Sequence, residues 1–328
     1  MCTAISFQTK DHYFGRTLDL HYSYDESVVI TPRNYPFHFK YAGCLANHYA
    51  IIGIATVSNG IPLYYEATNE AGLSIAGLYF PGNAYYPPET PEKDNIAPFE
   101  IIPWILGQCA SVEQAQPLLA RMNPVNLSFS PDFPVTPMHW IVSDKTASLT
   151  VEPLEQGLRV YENPVGVLTN NPPFDIQLFS LHQYRALSPR TPENNFTDRL
   201  PLAPYCNGMG TIGLPGDFTS QARFVRAAFT KFHIKAESDE QSSVSQFFRI
   251  LSAVQVPRGC VQTADGQNHY TIYISCCNTD KGLYYYTTYE NPQIIGVDMH
   301  AENLDGQTPI LYPLRQPWQI SMRNHSTV

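Results

Sequence analysis

Charged residues are scarce in this 328-residue chain, at 15%, and positive ones are scarcer still. Twenty Lys and Arg against 29 Asp and Glu leave a net charge of −9. That deficit of cations argues against nucleic acid and against an anionic membrane as partners, because both are bound through concentrated Lys and Arg. No apolar run approaches the ~18 residues of a spanning helix, and no basic-then-apolar signal opens the chain. The expectation is a soluble, cytoplasmic protein. A C-x-x-C pair and H-x-x-x-H spacing are also missing, which disfavours structural zinc. Seven irregularly spaced cysteines do not form a secreted disulfide framework. Asn126-Leu127-Ser128 and Asn195-Phe196-Thr197 match the glycosylation pattern, but a cytoplasmic chain never meets that machinery. There is no G-x-S-x-G nucleophile elbow, internal repeat, low-complexity tract or flexible linker. Residues 1–328 are therefore expected to form one domain.

What is present is material for a large core, since 43% of residues are apolar. The β-former content of Thr3–Phe7, a turn at Lys10-Asp11-His12 and Tyr13-Phe14-Gly15 suggest an opening hairpin. Further strands are expected at Val28–Thr31, Ala50–Ala55, Leu73–Leu78, His139–Val142, Ser148–Val151 and Val165–Leu168. Tyr270–Ser275 and Leu283–Tyr289 flank Asn278-Thr279-Asp280-Lys281, a strong hairpin signal. Helical periodicity marks Phe99–Cys109, Arg223–Phe232 and Val244–Ala253. Ser111-Val112-Glu113-Gln114 has capping-box form and opens another helix, which Pro117 should bend or shorten. Strands and helices do not alternate, so an α+β fold of two antiparallel sheets covered by helix pairs fits better than a doubly wound sheet. The 28 prolines cluster in 83–98, 129–137 and 188–204, which read as long ordered loops able to carry binding residues.

Several residues invite a chemical reading. Gly208-Met209-Gly210-Thr211-Ile212-Gly213 spells G-x-G-x-x-G, but a proline-rich segment precedes it and Leu214-Pro215 follows, so a turning loop is the better reading. His139 beside Trp140 reads as a core or strand-edge histidine rather than a base. Cys2 is the most informative position. Methionine aminopeptidases generally remove Met1 before a small residue, and removal would place a thiol and a free α-amine on one residue. The amine titrates near ~7.7–8.0 and the thiol near ~8.5, so the amine can act as the thiol's base. Arg16 and Asp19 lie just past the hairpin and can face Cys2. Considered alone they read first as an ordinary ion pair or turn residues; the functional alternative is a guanidinium favouring a thiolate and a carboxylate orienting the amine. Asn170-Asn171-Pro172 can be a plain turn or offer an amide donor to an oxyanion.

Cys2-Thr3-Ala4 and Phe14-Gly15-Arg16-Thr17-Leu18-Asp19 together resemble the start of the choloylglycine hydrolase family, which contains bile salt hydrolases and penicillin V acylases. The resemblance continues through Asn69-Glu70-Ala71-Gly72-Leu73, Val167-Leu168-Thr169-Asn170-Asn171-Pro172 and Leu214-Pro215-Gly216-Asp217-Phe218. It extends through Ala222-Arg223-Phe224-Val225-Arg226 and Tyr285–Asn291, covering nearly the whole chain. It implies the N-terminal-nucleophile hydrolase fold, an αββα sandwich, usually as a homotetramer. By the same resemblance Cys2 is the nucleophile, Asp19 the carboxylate at the amine and Arg16 the arginine beside sulfur. Asn170 and the Tyr79 backbone N–H are then the oxyanion donors, and Arg223 is a second active-site arginine.

The implied reaction is hydrolysis of the amide in a glycine- or taurine-conjugated bile salt, without metal or organic cofactor. Leu18, Phe129, Phe133 and Met138 are the implied apolar wall for the steroid; simple core filling is their alternative. Two positions depart from bile salt hydrolases. Tyr79 stands where asparagine is usual, as in many penicillin V acylases, and Cys206-Asn207-Gly208 replaces a frequent Ser-Arg-Gly. Penicillin V is thus an alternative substrate. A non-catalytic steroid-binding protein is an alternative of another class.

Overall fold

The computed structural model describes residues 1–315 together with 317, 318, 320, 322 and 324. Two large sheets, antiparallel throughout, lie face to face. The first runs β14 (Val167–Leu168), β1 (Cys2–Gln8), β2 (His12–Leu20), β16 (Asn268–Asn278), β17 (Leu283–Thr288), β18 (Ile295–Asp298), with β15 (Val261–Gln262) paired to β16. The second runs β13 (Gly157–Glu162), β12 (Ser148–Leu154), β11 (Met138–Ser143), β8 (Ser74–Tyr79), β7 (Ile61–Asn69), β6 (Ile51–Ser58), β3 (Ser27–Thr31), β19 (Ile310–Pro313). Two short ladders stand apart, β4 (Phe37–Phe39) with β5 (Gly43–Leu45) and β9 (Asp94–Ile96) with β10 (Met122–Pro124).

Helices α1 (Ile101–Gln108) and α2 (Val112–Arg121) close the outer face of the second sheet through Ile105, Leu119, Ile75 and Trp140. After α3 (Phe174–Ser180), helices α4 (Ser220–His233) and α5 (Glu240–Ser252) cover the first sheet, Phe247 meeting Phe7 edge-on at 6.4 Å. The layers are helix, sheet, sheet, helix, as the resemblance implied. Because both faces of each sheet are covered, β1 shows no alternation and is buried from Cys2 to Phe7.

Register decides which side chains meet. Cys2 pairs with Leu18 and Ala4 with Arg16, so these four share one face of the first sheet. Arg16 reaches carbonyls of the second sheet, so that face looks between the sheets. Thr3, Ile5, Thr17 and Asp19 turn toward the helices.

Strands β4, β5, β7, β9, β10, β13, β15, β18 and β19 were not expected, and β9 falls within the 83–98 segment read as a loop. In β7, Pro62 and the polar Glu66 obscure the pattern, and β13 is a half-exposed edge strand carrying Arg159 and Glu162. Pro117 does not shorten α2, which continues to Arg121. Glu113 and Pro117 both face solvent, where water can take the carbonyl that proline leaves without a donor. Ser111 caps Gln114 N as expected, but Gln114 Oε1 accepts from Ala110 N, one residue outside the box. The G-x-G-x-x-G segment is a loop with a short 3-10 turn at Met209–Thr211 and left-handed glycines 208 and 213.

Candidate active site

Cys2 begins β1 at the end of the first sheet, 2% exposed, with the half-buried Met1 before it. Met1 extends the ladder past Cys2: its nitrogen donates to the Asp19 carbonyl at 2.8 Å and its carbonyl accepts from Asp19 N at 3.0 Å. Both backbone polar atoms of Cys2 are held by distant side chains. Its N–H donates to Asn170 Oδ1 at 2.9 Å, and its carbonyl accepts from Arg223 Nη1 at 2.5 Å.

Arg223 enters from the first turns of α4, which Thr219 caps by accepting from Ala222 N. It is fully buried and also donates to Thr3 Oγ1 at 2.8 Å and to Asn170 Oδ1 at 2.7 Å. Burial lowers its pKa, and the nearby Asp19 and Cys2 partly restore it.

Arg16 lies between the sheets. Its Nη1 donates to the carbonyls of Tyr65, at 3.1 Å, and Gly77, at 2.5 Å. These strands no longer pair there, the β7–β8 register ending at Glu66 opposite Ala76. Burial works to lower the Arg16 pKa, but the sulfur of Cys2, then Tyr273, Glu66 and Asp19, outweigh it and raise it. Its closest carboxylate is Glu66 at 3.9 Å, a residue the sequence did not single out. Glu66 accepts from Tyr273 and Tyr284 hydroxyls at 2.7 and 2.6 Å. Burial raises its pKa, which Arg16 and the two tyrosines pull partway back. The ordinary Arg16–Asp19 ion pair is not formed. Arg16 Nη2 is buried without a partner among the described residues.

Asp19 is buried on the opposite face from the Cys2 side chain, beside the Met1–Cys2 backbone. Its Oδ2 accepts from Thr17 Oγ1 at 3.2 Å and its Oδ1 from Thr271 Oγ1 at 2.6 Å. Thr271 reaches it at a bulge, where the β2–β16 register shifts between Thr271 and Tyr273. Such bulges re-aim side chains beside functional sites.

Asn170 sits just past β14 on a tightly held segment. Its N–H donates to Ser220 Oγ at 2.8 Å, and its carbonyl accepts from Gln177 Nε2 at 2.5 Å. With Oδ1 taken by two donors, its amide orientation is unambiguous, and Nδ2 donates one hydrogen to the Tyr79 carbonyl at 2.7 Å. The second hydrogen remains available. Tyr79 ends β8 and is 43% exposed. Phe80 N donates to Pro137 O on the β11 side, so by ladder alternation the Tyr79 N–H turns the other way, past the end of the β7 pairing.

The four wall candidates do not form one group. Leu18 is closed into the core, and Met138 is half-buried opposite Tyr79. A Cβ at Gly77 would lie 3.2 Å from Trp140 Nε1 and 3.3 Å from Met138 Sδ, so those side chains would have to give by a few tenths of an ångström. Phe129 and Phe133 are half-buried and meet edge-on at 6.1 Å. They belong to an aromatic row with Phe99 and Tyr24, which periodicity could not reveal because the row joins three distant segments. Among the described residues no cluster of three or more His, Cys, Asp or Glu could hold a metal, and no helix is long and apolar enough to cross a membrane.

Residues 2–312 match the family model described as linear amide C–N hydrolases, choloylglycine hydrolase family. The chain is 51% identical to a bile salt hydrolase/transferase of Lactiplantibacillus plantarum, over 97% of this chain and 98% of that one. A crystal structure of a variant conjugated bile acid hydrolase from Clostridium perfringens superposes with a TM-score of 0.91 at 37% identity, over 98% of this chain and all of that one. A penicillin V acylase structure from Agrobacterium tumefaciens shares the fold, with a TM-score of 0.74 at 21% identity over 94% of this chain and 89% of that one.

Proposed function

The chain belongs to the choloylglycine hydrolase family of linear amide C–N hydrolases, and from that premise we propose that it hydrolyses the amide of glycine- or taurine-conjugated bile salts through Cys2. The observation that carries this reading is the double grip on Cys2, by Asn170 Oδ1 and by Arg223 Nη1, at a strand end surrounded by buried polar groups. A residue that merely filled a strand would need neither.

In this reading Met1 is removed and the Cys2 nitrogen becomes an amine. The amine takes the thiol proton as sulfur attacks the substrate carbonyl, forming a tetrahedral oxyanion. The second hydrogen of Asn170 Nδ2 and the Tyr79 N–H receive that oxyanion. Collapse expels the glycine or taurine nitrogen, which the amine protonates, and water then cleaves the thioester and regenerates the thiol. Arg16 and Arg223 place two buried positive charges around the sulfur, and the buried Asp19 carboxylate is the group that orients the freed amine once Met1 is gone. Met138 and the Phe129–Phe133 row supply apolar contact for the steroid, with Leu18 beneath Cys2.

No step calls for a cofactor. Residues 1–328 act as one domain, in a reducing cytoplasm where a thiol nucleophile survives. Exposed Phe179, Phe196, Leu200, Tyr205 and Ile212 support assembly into a homotetramer, which light scattering will test.

The deciding measurement is a parallel assay of glycocholate, taurocholate and penicillin V on protein whose N-terminus has been defined by mass spectrometry. Turnover of either bile salt, together with loss of Met1, is expected. Full activity with Met1 retained would overturn the mechanism. Preference for penicillin V is the second reading, favoured by the exposed Tyr79 ring at the site.

A further inference from the structure

His139 takes no part in the steps above, and its surroundings are unusual for a core residue. It is fully buried on β11. Its Nδ1 lies 2.9 Å from Glu152 Oε1, and its Nε2 lies 2.9 Å from the Thr169 carbonyl oxygen. A carbonyl only accepts, so Nε2 carries a hydrogen, and a further proton lies between Nδ1 and Glu152. The ring stacks on Phe80, centroids 4.1 Å apart and planes 6° from parallel. Thr169 precedes Asn170 and Phe80 follows Tyr79. One imidazole therefore touches both segments that supply oxyanion donors in the proposed reaction, one at the Thr169 carbonyl and the other at the Phe80 ring.

Glu152 links this imidazole to the support of Asn170 from the other side. It accepts from Phe174 N, the first residue of α3, at 3.1 and 3.2 Å. From the next turn of α3, Gln177 returns to the Asn170 and Pro172 carbonyls. Asn171 Nδ2 bridges to the Pro81 carbonyl at 2.6 Å, tying the two segments together a second time. The ring is thus the shared support beneath Tyr79–Phe80 and Thr169–Asn170.

We infer that His139, backed by Glu152, is a positioning residue that sets the spacing between the Asn170 and Tyr79 oxyanion donors. The inference rests on their assignment as donors. Oxyanion stabilisation depends on donor placement to within a fraction of an ångström, so loss of this support lowers turnover rather than binding. A histidine that only filled the core would change thermal stability and leave turnover per folded molecule intact.

The test pairs His139→Leu with Glu152→Gln, so that no buried carboxylate loses its partner. In that double variant kcat on glycocholate should fall roughly 10–100-fold with KM within about twofold. Glu152→Gln alone keeps both partners, its amide nitrogen donating to Nδ1 and its oxygen accepting from Phe174 N, and should stay within about threefold of the parent kcat. In an Asn170→Ala background the double variant should cost less than about twofold more, because with one donor gone no donor pair remains whose spacing His139 can set. Unchanged kcat per folded molecule, or a loss that multiplies fully with Asn170→Ala, overturns the inference. Should the leucine chain fail to fold, His139→Gln, long enough to donate to Thr169, is compared with the shorter His139→Asn. Higher turnover for glutamine supports the inference and equal turnover overturns it. The two failures separate: an unmutated chain inactive on all three amides removes the functional reading and this inference with it, whereas an active chain with insensitive variants removes this inference alone.

Discussion

The two ends of β1 carry similar material, buried polar side chains among apolar ones, but use it differently. At the far end, His12 lies 2.8 Å from Ser6 Oγ through Nε2 and 2.8 Å from Thr279 Oγ1 through Nδ1, so both its nitrogens are matched. At the Cys2 end, Arg16 Nη2 has no partner among the described residues, and Asn170 Nδ2 commits only one of its hydrogens. A cavity of about 980 Å³ opens at the Ser6–His12 end and contains none of the proposed catalytic residues. That cavity therefore does not coincide with the proposed chemistry. The spare donors of Arg16 and Asn170 do coincide with it. Trp140 Nε1, also buried without a partner among the described residues but on the helix-covered face of the second sheet, shows that an unmatched donor alone does not mark chemistry.

The comparison breaks most readily at Asn170. Asn170→Ala should lower kcat on the preferred bile salt by roughly 10²–10³ with little change in KM, the usual consequence of losing one oxyanion donor. Steady-state kinetics will show it, and unchanged turnover would remove Asn170 from that role.

The His12 end should respond in stability and not in turnover. Burial pushes the His12 pKa down to about 4, with Asp280 opposing. The unfolded chain takes up that proton near pH ~6.5 while the folded chain refuses it, so stability is retained above that pH and lost as pH falls toward 4. The integrated loss is on the order of 3 kcal/mol. Denaturant melts of the parent and His12→Gln between pH 7 and 4 should show a shallower acid decline in the variant with the same kcat. Parallel declines would mean that other groups dominate.

The smallest effect belongs to the aromatic row. Phe133→Ala should raise KM for glycocholate by about 3- to 10-fold through lost apolar contact, leaving kcat nearly unchanged. Isothermal titration with a non-hydrolysed bile acid offers an independent reading, and unaltered affinity would return Phe133 to the role of filler.

Legibility from sequence followed locality. The opening hairpin, the Asn278–Lys281 turn and helices α4 and α5 were readable because each depends on short-range pattern and turn chemistry. Strand β7 was not, and with it Glu66 stayed hidden: a glutamate in a tyrosine-rich stretch looks like surface until two sheets bury it between Arg16, Tyr273 and Tyr284. Arg16 and Asp19 were noticed for their closeness to Cys2, yet they lie on opposite faces of β2. The alternation of a strand separates residues three apart. Tyr24 and Phe99 were missed because nothing local marks them as neighbours of the Phe129–Phe133 pair.

By itself the sequence determined a second-position cysteine, an arginine and an aspartate within twenty residues of it, and ordered motifs that identify a family. Those are matters of covalent order and side-chain chemistry. Only the tertiary structure decided which donors stay unspent, which face each charge occupies, and that His139 lies beneath both segments of the proposed oxyanion site. Hydrogen-bond satisfaction and burial are sums over contacts made by distant parts of the chain, and no local pattern records them.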